Sequence, residues 1–158
     1  MARDTLRQPA LAGSSAPTRA NVGFELAKAS QRWNELLYAE FRRRGFPEVR
    51  PSYGSVLLPL NEEDGLRMGE LAARARLSKQ TITTLVRLME EAELVSRERD
   101  PDDGRAWLVR LTDRAREFAP VAGEVVDDLD RALTGRIGRE RLRVLRAALR
   151  EVMDLEGA

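Results

Sequence analysis

The stretch LSKQTITTLVRLMEEAELVSRERDPDDGRAWLVRLT, residues 77–112, decides how this chain folds. Ile82, Leu85, Val86 and Met89 fall at i, i+3, i+4 and i+7, a single stripe of an amphipathic helix. Ser78 stands where an N-cap belongs, because its hydroxyl can accept from a backbone N–H one turn on. The spacing predicts a helix from Ser78 to about Ala92, with Gln80, Thr83, Thr84 and Arg87 opposite the stripe and Lys79 and Thr81 in its first turn. Just upstream, Gly69 to Ala75 reads as a shorter helix with Leu71, Ala72 and Ala75 turned inward. Two short helices joined by a tight turn, the second capped and polar outward, form a helix-turn-helix pattern. Downstream, Leu94-Val95 opens a charged strand ending near Asp100. Pro101-Asp102-Asp103-Gly104 is a turn, and Ala106 to Leu111 is the returning strand. A hairpin directly after a helix-turn-helix makes a winged helix.

Outward from this centre the chain is helical. Leu26, Ser30, Trp33, Leu37 and Phe41 share one face of a helix from Asn21, its N-cap, to Arg44, with Gly45 as the stop signal. Trp33 and Phe41 read as core or interface residues. A short helix is expected after Pro51, from Ser55 to Leu60, and the polar run Asn61–Gly65, with Glu62-Glu63-Asp64, as the turn that follows. Thr112 caps a helix bearing Phe118, Val121, Val125, Leu129 and Leu133, and Pro120 within it predicts a kink or a break. Beyond Gly135–Gly138, Leu142, Leu145, Leu149 and Val152 make a seam for a partner helix or for an intramolecular contact. The expected fold is mainly α with a small β-hairpin wing, a winged helix-turn-helix flanked by N- and C-terminal dimerisation helices. Its expected segments are a flexible, mildly basic tail over 1–20, N-terminal helices for dimerisation and a pocket over 21–60, the DNA-binding winged domain over 61–112, and C-terminal dimerisation helices over 113–158. The tail is either inert or an arm that tracks DNA.

Composition narrows the chemistry. The 158 residues suit one domain with extensions, 42% hydrophobic and 34% charged with a net charge of +1, as in a globular protein. No apolar run approaches a membrane span, and no secretory h-region opens the chain, so a cytoplasmic location is expected. Cysteine and histidine are both absent. That excludes thiolate catalysis, thiol redox sensing, and the commonest general base and metal ligand. The chain is therefore not expected to be an enzyme, and no cofactor or metal is expected. The carboxylates of Asp127-Asp128-x-Asp130 point in different directions on a helix, which suits a solvated face rather than a cation site. Lys28 and Lys79 are the only lysines among 27 basic residues. Such a bias follows from codon usage or from the use of Arg forks on phosphates and base edges. Locally, Arg67, Arg74, Arg76, Lys79 and Arg87 face only Glu70 within residues 66–89, a net +4 on the element expected to meet phosphate.

The run from Glu70-Leu71-Ala72 through Leu77-Ser78-Lys79-Gln80-Thr81-Ile82-Thr83 to Leu94-Val95-Ser96-Arg97 resembles the MarR (multiple-antibiotic-resistance regulator) family. So does the wing sequence Asp103-Gly104-Arg105, an apolar strand, then Leu111-Thr112. The specific part of the likeness spans about 67–116, and the flanking helices are similar in arrangement only. Glu93 and Ala115 stand where the family usually has Gly, so Glu93 must accept a helix-ending geometry without glycine's freedom. The resemblance implies a homodimeric transcriptional regulator. Its recognition helices would enter successive major grooves of a pseudo-palindromic operator, and its wing Arg an adjacent minor groove. It also implies release by a small, often aromatic, anionic effector, most simply from a repressor.

On that reading Gln80 suits a bidentate contact to adenine and Arg87 a guanine or a phosphate. Ser78, Thr81, Thr83 and Thr84 suit phosphate oxygens or the thymine methyl edge, with Lys79 beside them. Arg105 either enters a narrow minor groove or pairs with Asp103 inside the turn. Trp33, Tyr38 and Tyr53 lie where the family places effectors, and Arg50 could pair with an anion there. The alternative function is a winged-helix module for protein–protein contact without specific DNA binding.

Overall fold

A computed structural model of the chain describes residues 21–155, so the expected tail over 1–20 lies outside the described residues. Two units are present, one ending at Trp33 and the other beginning at Asn34. The first holds the opening turns of α1 (Val22–Arg43), capped by Asn21, whose Oδ1 accepts from the Phe24 N–H at 2.8 Å. The second carries the end of α1, a 3-10 turn (Pro51–Tyr53), α2 (Gly54–Glu62), β1 (Leu66–Arg67), α3 (Met68–Ala75) and α4 (Lys79–Glu91). It continues with β2 (Val95–Arg99), β3 (Trp107–Leu111), α5 (Asp113–Ile137) and α6 (Arg139–Met153).

The wing holds one strand more than the expected hairpin. Its sheet runs β1-β3-β2, all antiparallel, with Leu66 opposite Val109, Arg67 opposite Leu108, and Val95 to Arg99 opposite Leu111 to Trp107. A two-residue strand is too short to show a period-2 pattern, which is why the sequence gives no sign of it. The core lies beneath this sheet and the helix-turn-helix: Leu71, Ile82, Val86, Met89, Leu94 and Val109 are buried. Each such side chain stabilises the fold by about 1.5–3 kcal/mol relative to exposure. Near the end of α1, the Phe118 ring meets Phe41 edge-on at 4.8 Å and Phe46 at 5.2 Å, tying α5 to this core.

Three helices end in the same hydrogen-bonded motif. After α1, the Phe46 N–H reaches Phe41 O (2.9 Å) and the Gly45 N–H reaches Arg42 O, with Gly45 at φ +92°. After α3, the Leu77 N–H reaches Ala72 O and the Arg76 N–H reaches Ala73 O. After α4, the Leu94 N–H reaches Met89 O (2.8 Å) and the Glu93 N–H reaches Glu90 O. Each pair satisfies carbonyls that the helix end would otherwise orphan. At the last two ends the left-handed position is held by Arg76 (φ 52°) and Glu93 (φ 57°), without glycine.

Two expectations are corrected. Of the kink or break expected at Pro120, the break does not occur: α5 runs from Asp113 to Ile137 through it. Pro120 is on an exposed side of α5, where water can satisfy the Arg116 carbonyl that lacks its usual donor, while buried Phe118 and Val125 hold the other side to the core. Gly135 also remains helical, and only Gly138, at φ +84°, separates α5 from α6. Along the expected α6 seam, which nothing in the single chain tests as a partner contact, Leu142 is buried, whereas Leu145 and Val152 are exposed together with Val144, Met153 and Leu155.

Candidate nucleic-acid interface

The recognition element is set by two local devices. Ser78 Oγ accepts from the Thr81 N–H at 3.1 Å and lies 2.8 Å from Thr81 Oγ1, which caps α4. The stripe Ile82, Val86 and Met89 is buried, and this fixes the rotation of the helix. Lys79, Gln80, Thr83, Thr84 and Arg87 are consequently all exposed, along with Ser78 and Thr81.

Their chemistry differs residue by residue. Thr83 Oγ1 donates to Lys79 O (2.8 Å) and Thr84 Oγ1 to Gln80 O (3.1 Å). Each hydroxyl spends its proton on its own helix, leaving lone pairs and a methyl group for a partner, which suits a thymine methyl better than a phosphate. Gln80 and Lys79 make no side-chain hydrogen bond or ion pair among the described residues. Arg87 pairs with Glu91 at 2.5 Å across one exposed helical turn. Such a pair is weak and is given up readily for a phosphate or a base.

The wing tip is braced from two sides. Asp100 is only 5% exposed, and its Oδ1 accepts from the Asp102 N–H (2.9 Å) while Oδ2 accepts from Arg67 Nε (2.7 Å). The Asp102 N–H above all holds the Asp100 carboxyl below the usual carboxylate range, and Arg67 adds to this against the opposing effect of burial. On the other side, Arg99 lies 4.3 Å over the Trp107 ring and donates to Gly104 O at 2.9 Å. Arg105 projects from this tip. Its backbone N–H donates to Asp103 Oδ1 (3.1 Å), but its guanidinium makes no ion pair among the described residues. Of the two readings for Arg105, pairing within the turn is therefore limited to the backbone.

The expected +4 is weaker than the local count. Arg67 is held by Asp100, Arg74 by Glu63 and Arg87 by Glu91, each a carboxylate outside residues 66–89. Arg76 and Lys79 remain unpaired among the described residues.

Of the effector candidates, Tyr38, Arg50 and Tyr53 belong to the second unit. Trp33 belongs to the first unit, on α1. In the second, the Tyr38 ring has the Arg50 guanidinium at 5.3 Å and that of Arg42 at 5.7 Å, and its hydroxyl donates to Pro47 O at 3.2 Å. Tyr53 is buried in the core. Of two grooves on the second unit, one lies between Leu58, Pro59 and Glu62 of α2 and Arg74 and Ala75 of α3. The other lies between Thr134 of α5 and Arg139, Leu142, Arg143, Arg146 and Arg150 of α6. Tyr38, Arg50 and Tyr53 line neither. Among the described residues, no group of three or more carboxylates could hold a metal ion.

Sequence reasoning missed two organising carboxylates, Asp100 and Asp64. Asp64, within the expected polar turn, accepts from the Leu111 N–H (2.9 Å) and from Arg116 (2.8 Å), tying the α2–β1 turn to the end of β3 and to α5. Burial alone would raise its pKa, but the Leu111 N–H, Arg116 and the Gly65 N–H together bring it below the ordinary aspartate value. Their distant partners carry no local signal, because Arg67 lies 33 positions from Asp100, and Leu111 and Arg116 lie 47 and 52 from Asp64.

A capped helix with an exposed polar face, a first helix packed behind it and a braced wing define a winged helix-turn-helix DNA-binding protein. Residues 49–106 match the MarR family. The chain is 30% identical over 117 residues to the HTH-type transcriptional repressor Mb2911 of Mycobacterium bovis, covering 66% of this chain and 84% of that one. It is 28% identical over 137 residues to the exopolysaccharide II synthesis transcriptional activator ExpG of Rhizobium meliloti, covering 84% and 69%. Among solved structures it is similar to the transcriptional repressor CouR bound to a 23-mer DNA duplex (TM-score 0.72, 24% identity, 88% and 99% covered). It is also similar to the PcaV transcriptional regulator of Streptomyces coelicolor in complex with its natural ligand (TM-score 0.70, 26% identity, 89% and 97% covered). The chain belongs to the MarR family of DNA-binding transcriptional regulators, which are not enzymes. Among the described residues no helix is long and apolar enough to cross a membrane.

Proposed function

We propose that the protein is a cytoplasmic homodimeric repressor that binds a pseudo-palindromic operator and is released by a small anionic effector. The observation that carries this reading is the pairing of an exposed, largely unpartnered face on α4 with an unpaired Arg105 on a braced wing. Gln80 and Arg87 read base edges in the major groove, Thr83 and Thr84 offer methyl groups to thymine, and Ser78, Thr81 and Lys79 meet phosphates. Arg105 enters the minor groove. The α6 residues Val144, Leu145, Val152 and Met153 lie exposed, and the helices over 21–60 and 113–158 supply the dimer contact that would cover them. Tyr38, flanked by Arg42 and Arg50, offers an aromatic face and two cations to an aromatic anion. Repression is favoured because Mb2911 and CouR are described as repressors, although ExpG is an activator.

Selection from a random duplex pool at two salt concentrations tests the reading. A dimeric regulator recovers one inverted repeat with half-site centres about 10 bp apart. Its affinity falls steeply with salt. A folded protein that selects nothing at either concentration refutes the proposal in favour of a protein-contact module.

A further inference from the structure

The residue that joins the reading head to the wing is Arg67. Three parts of the fold meet at it. Its backbone is the N-cap of α3, where its N–H donates to Glu70 Oε2 at 2.8 Å. It is also half of strand β1, opposite Leu108 of β3. Its guanidinium grips the buried Asp100 carboxylate through Nε at 2.7 Å and through a second nitrogen. Asp100 in turn holds the wing turn through the Asp102 N–H, and its own N–H donates to Ala106 O at 3.1 Å. The turn so held is the one that presents Arg105. Asp100 thus has one carboxylate oxygen on the wing tip and the other on the start of the helix-turn-helix.

We propose that Arg67 is a positioning residue for DNA binding: through Asp100 it locks the wing tip to the start of α3, so that Arg105 reaches the duplex at a fixed distance from α4. The inference rests on the functional reading above. It assigns the half-exposed Arg67 to an internal ion pair rather than to phosphate, although Arg67 is a cation beside the recognition element. Both guanidinium nitrogens meet the same oxygen, Oδ2, which leaves Oδ1 to the Asp102 N–H.

Asp100→Asn gives a test in which the two roles have opposite signs. The amide still accepts from the Asp102 N–H, but the variant removes one negative charge and frees Arg67. If Arg67 acted on phosphate, or if charge alone mattered, the duplex recovered by the selection would bind more tightly. If the lock matters, it binds about fivefold or more weakly, and the loss is confined to proteins that retain Arg105. Affinities are measured for wild type, Asp100→Asn, Arg105→Ala and the double variant at one salt concentration. The double variant is expected within about twofold of Arg105→Ala, since additive losses mark independent sites. Hydrogen exchange at the Asp102 and Ala106 amides is expected to quicken in Asp100→Asn while exchange within α4 stays unchanged. Where Asp100→Asn melts below the assay temperature, Arg67→Gln, which acts from a half-exposed side chain, enters the same cycle. Binding by Asp100→Asn as tight as wild type or tighter overturns the inference, and so do losses that multiply in the double variant. A wild-type protein that selects no duplex overturns the functional reading itself, a different result from the other two.

Discussion

Glu93 occupies a position that suits glycine, and replacing it should stabilise the protein. Its φ of 57° places an L side chain in the left-handed region. The position cannot relax, because it is fixed on both sides. The Leu94 N–H to Met89 O bond (2.8 Å) closes α4 between two fully buried side chains, and Thr112 Oγ1 donates to the Glu93 carbonyl at 2.7 Å. The Glu93 carboxylate itself makes no hydrogen bond or ion pair among the described residues, so its removal loses no contact. A left-handed L residue costs about 1–2 kcal/mol. Glycine removes that cost but returns about 0.4–1 kcal/mol through the larger freedom of the unfolded chain. The net gain for Glu93→Gly is then about 1 kcal/mol, or a Tm higher by about 2–4 °C for a chain of this length. Circular-dichroism melts at fixed protein concentration measure it, because self-association would make Tm depend on concentration. Glu93→Ala is the control: it removes the carboxylate but keeps the Cβ, and should leave Tm unchanged within error. If the Ala variant rises as much as the Gly variant, the strain argument is wrong and carboxylate repulsion near Glu90 and Glu91 is the cause. A Gly variant that melts below wild type refutes the reasoning altogether.

Other consequences are equally accessible. Gly65→Ala should lower stability by about 1–2 kcal/mol, because its φ of +80° disfavours an L residue and the added Cβ would stand 2.7 Å from the Arg110 guanidinium. A urea titration reads this as a lower midpoint at unchanged slope. Asp64 has a folded pKa below its ordinary 3.8, so its contribution to stability is present above that value and is lost as pH falls through the lower folded one. Asp64→Asn should therefore be less stable than wild type at pH 7, and the gap should close on acidification; a gap constant down to pH 2 would refute the assignment. Binding to the selected duplex should follow log salt with a slope of about −4 per subunit, set by Arg76, Lys79, Arg105 and the readily released Arg87, rather than the about −5 expected if Arg67 and Arg74 were engaged as well. Titrations at four salt concentrations separate the two.

How much of this was legible in the sequence depends on the range of the interaction. The stripe Ile82, Leu85, Val86 and Met89, the Ser78 and Thr112 caps and the Gly45 stop are local signals. Each is found in the structure where its spacing puts it. Pro120 and Gly135 were misleading for the complementary reason. Helix propensity is a weak local preference, and α5 overrides it by burying Phe118 and Val125 against the core. Strand β1, the contacts of Asp64 and the pairing of Asp100 with Arg67 were invisible because nothing near them in sequence marks their partners. Their partners are Val109 and Leu108, Leu111 and Arg116, and Arg67. Of the candidate interface, the exposure of Gln80, Thr83, Thr84 and Arg87 was legible from helical period alone. The hydrogen bonds that turn the two threonine hydroxyls back onto their own helix were not.

The same pairing explains how a chain with a net charge of only +1 can be built to meet a polyanion. An arginine committed to a carboxylate does not add to the field a phosphate feels at a distance, and most of those near the helix-turn-helix are committed: Arg67, Arg74, Arg97 and Arg110 each have an acidic partner. What remains exposed is sparse and specifically placed, with Lys79 at the start of α4, Arg76 in the turn before it and Arg105 on the wing. Arg87 is available at the small cost of leaving Glu91. A surface of this kind attracts DNA weakly wherever the duplex lies. It gains most of its affinity only where base edges and groove width are satisfied together. On this argument the ion pairs are part of the reading device, since they convert an arginine-rich surface from a general phosphate binder into one that depends on position.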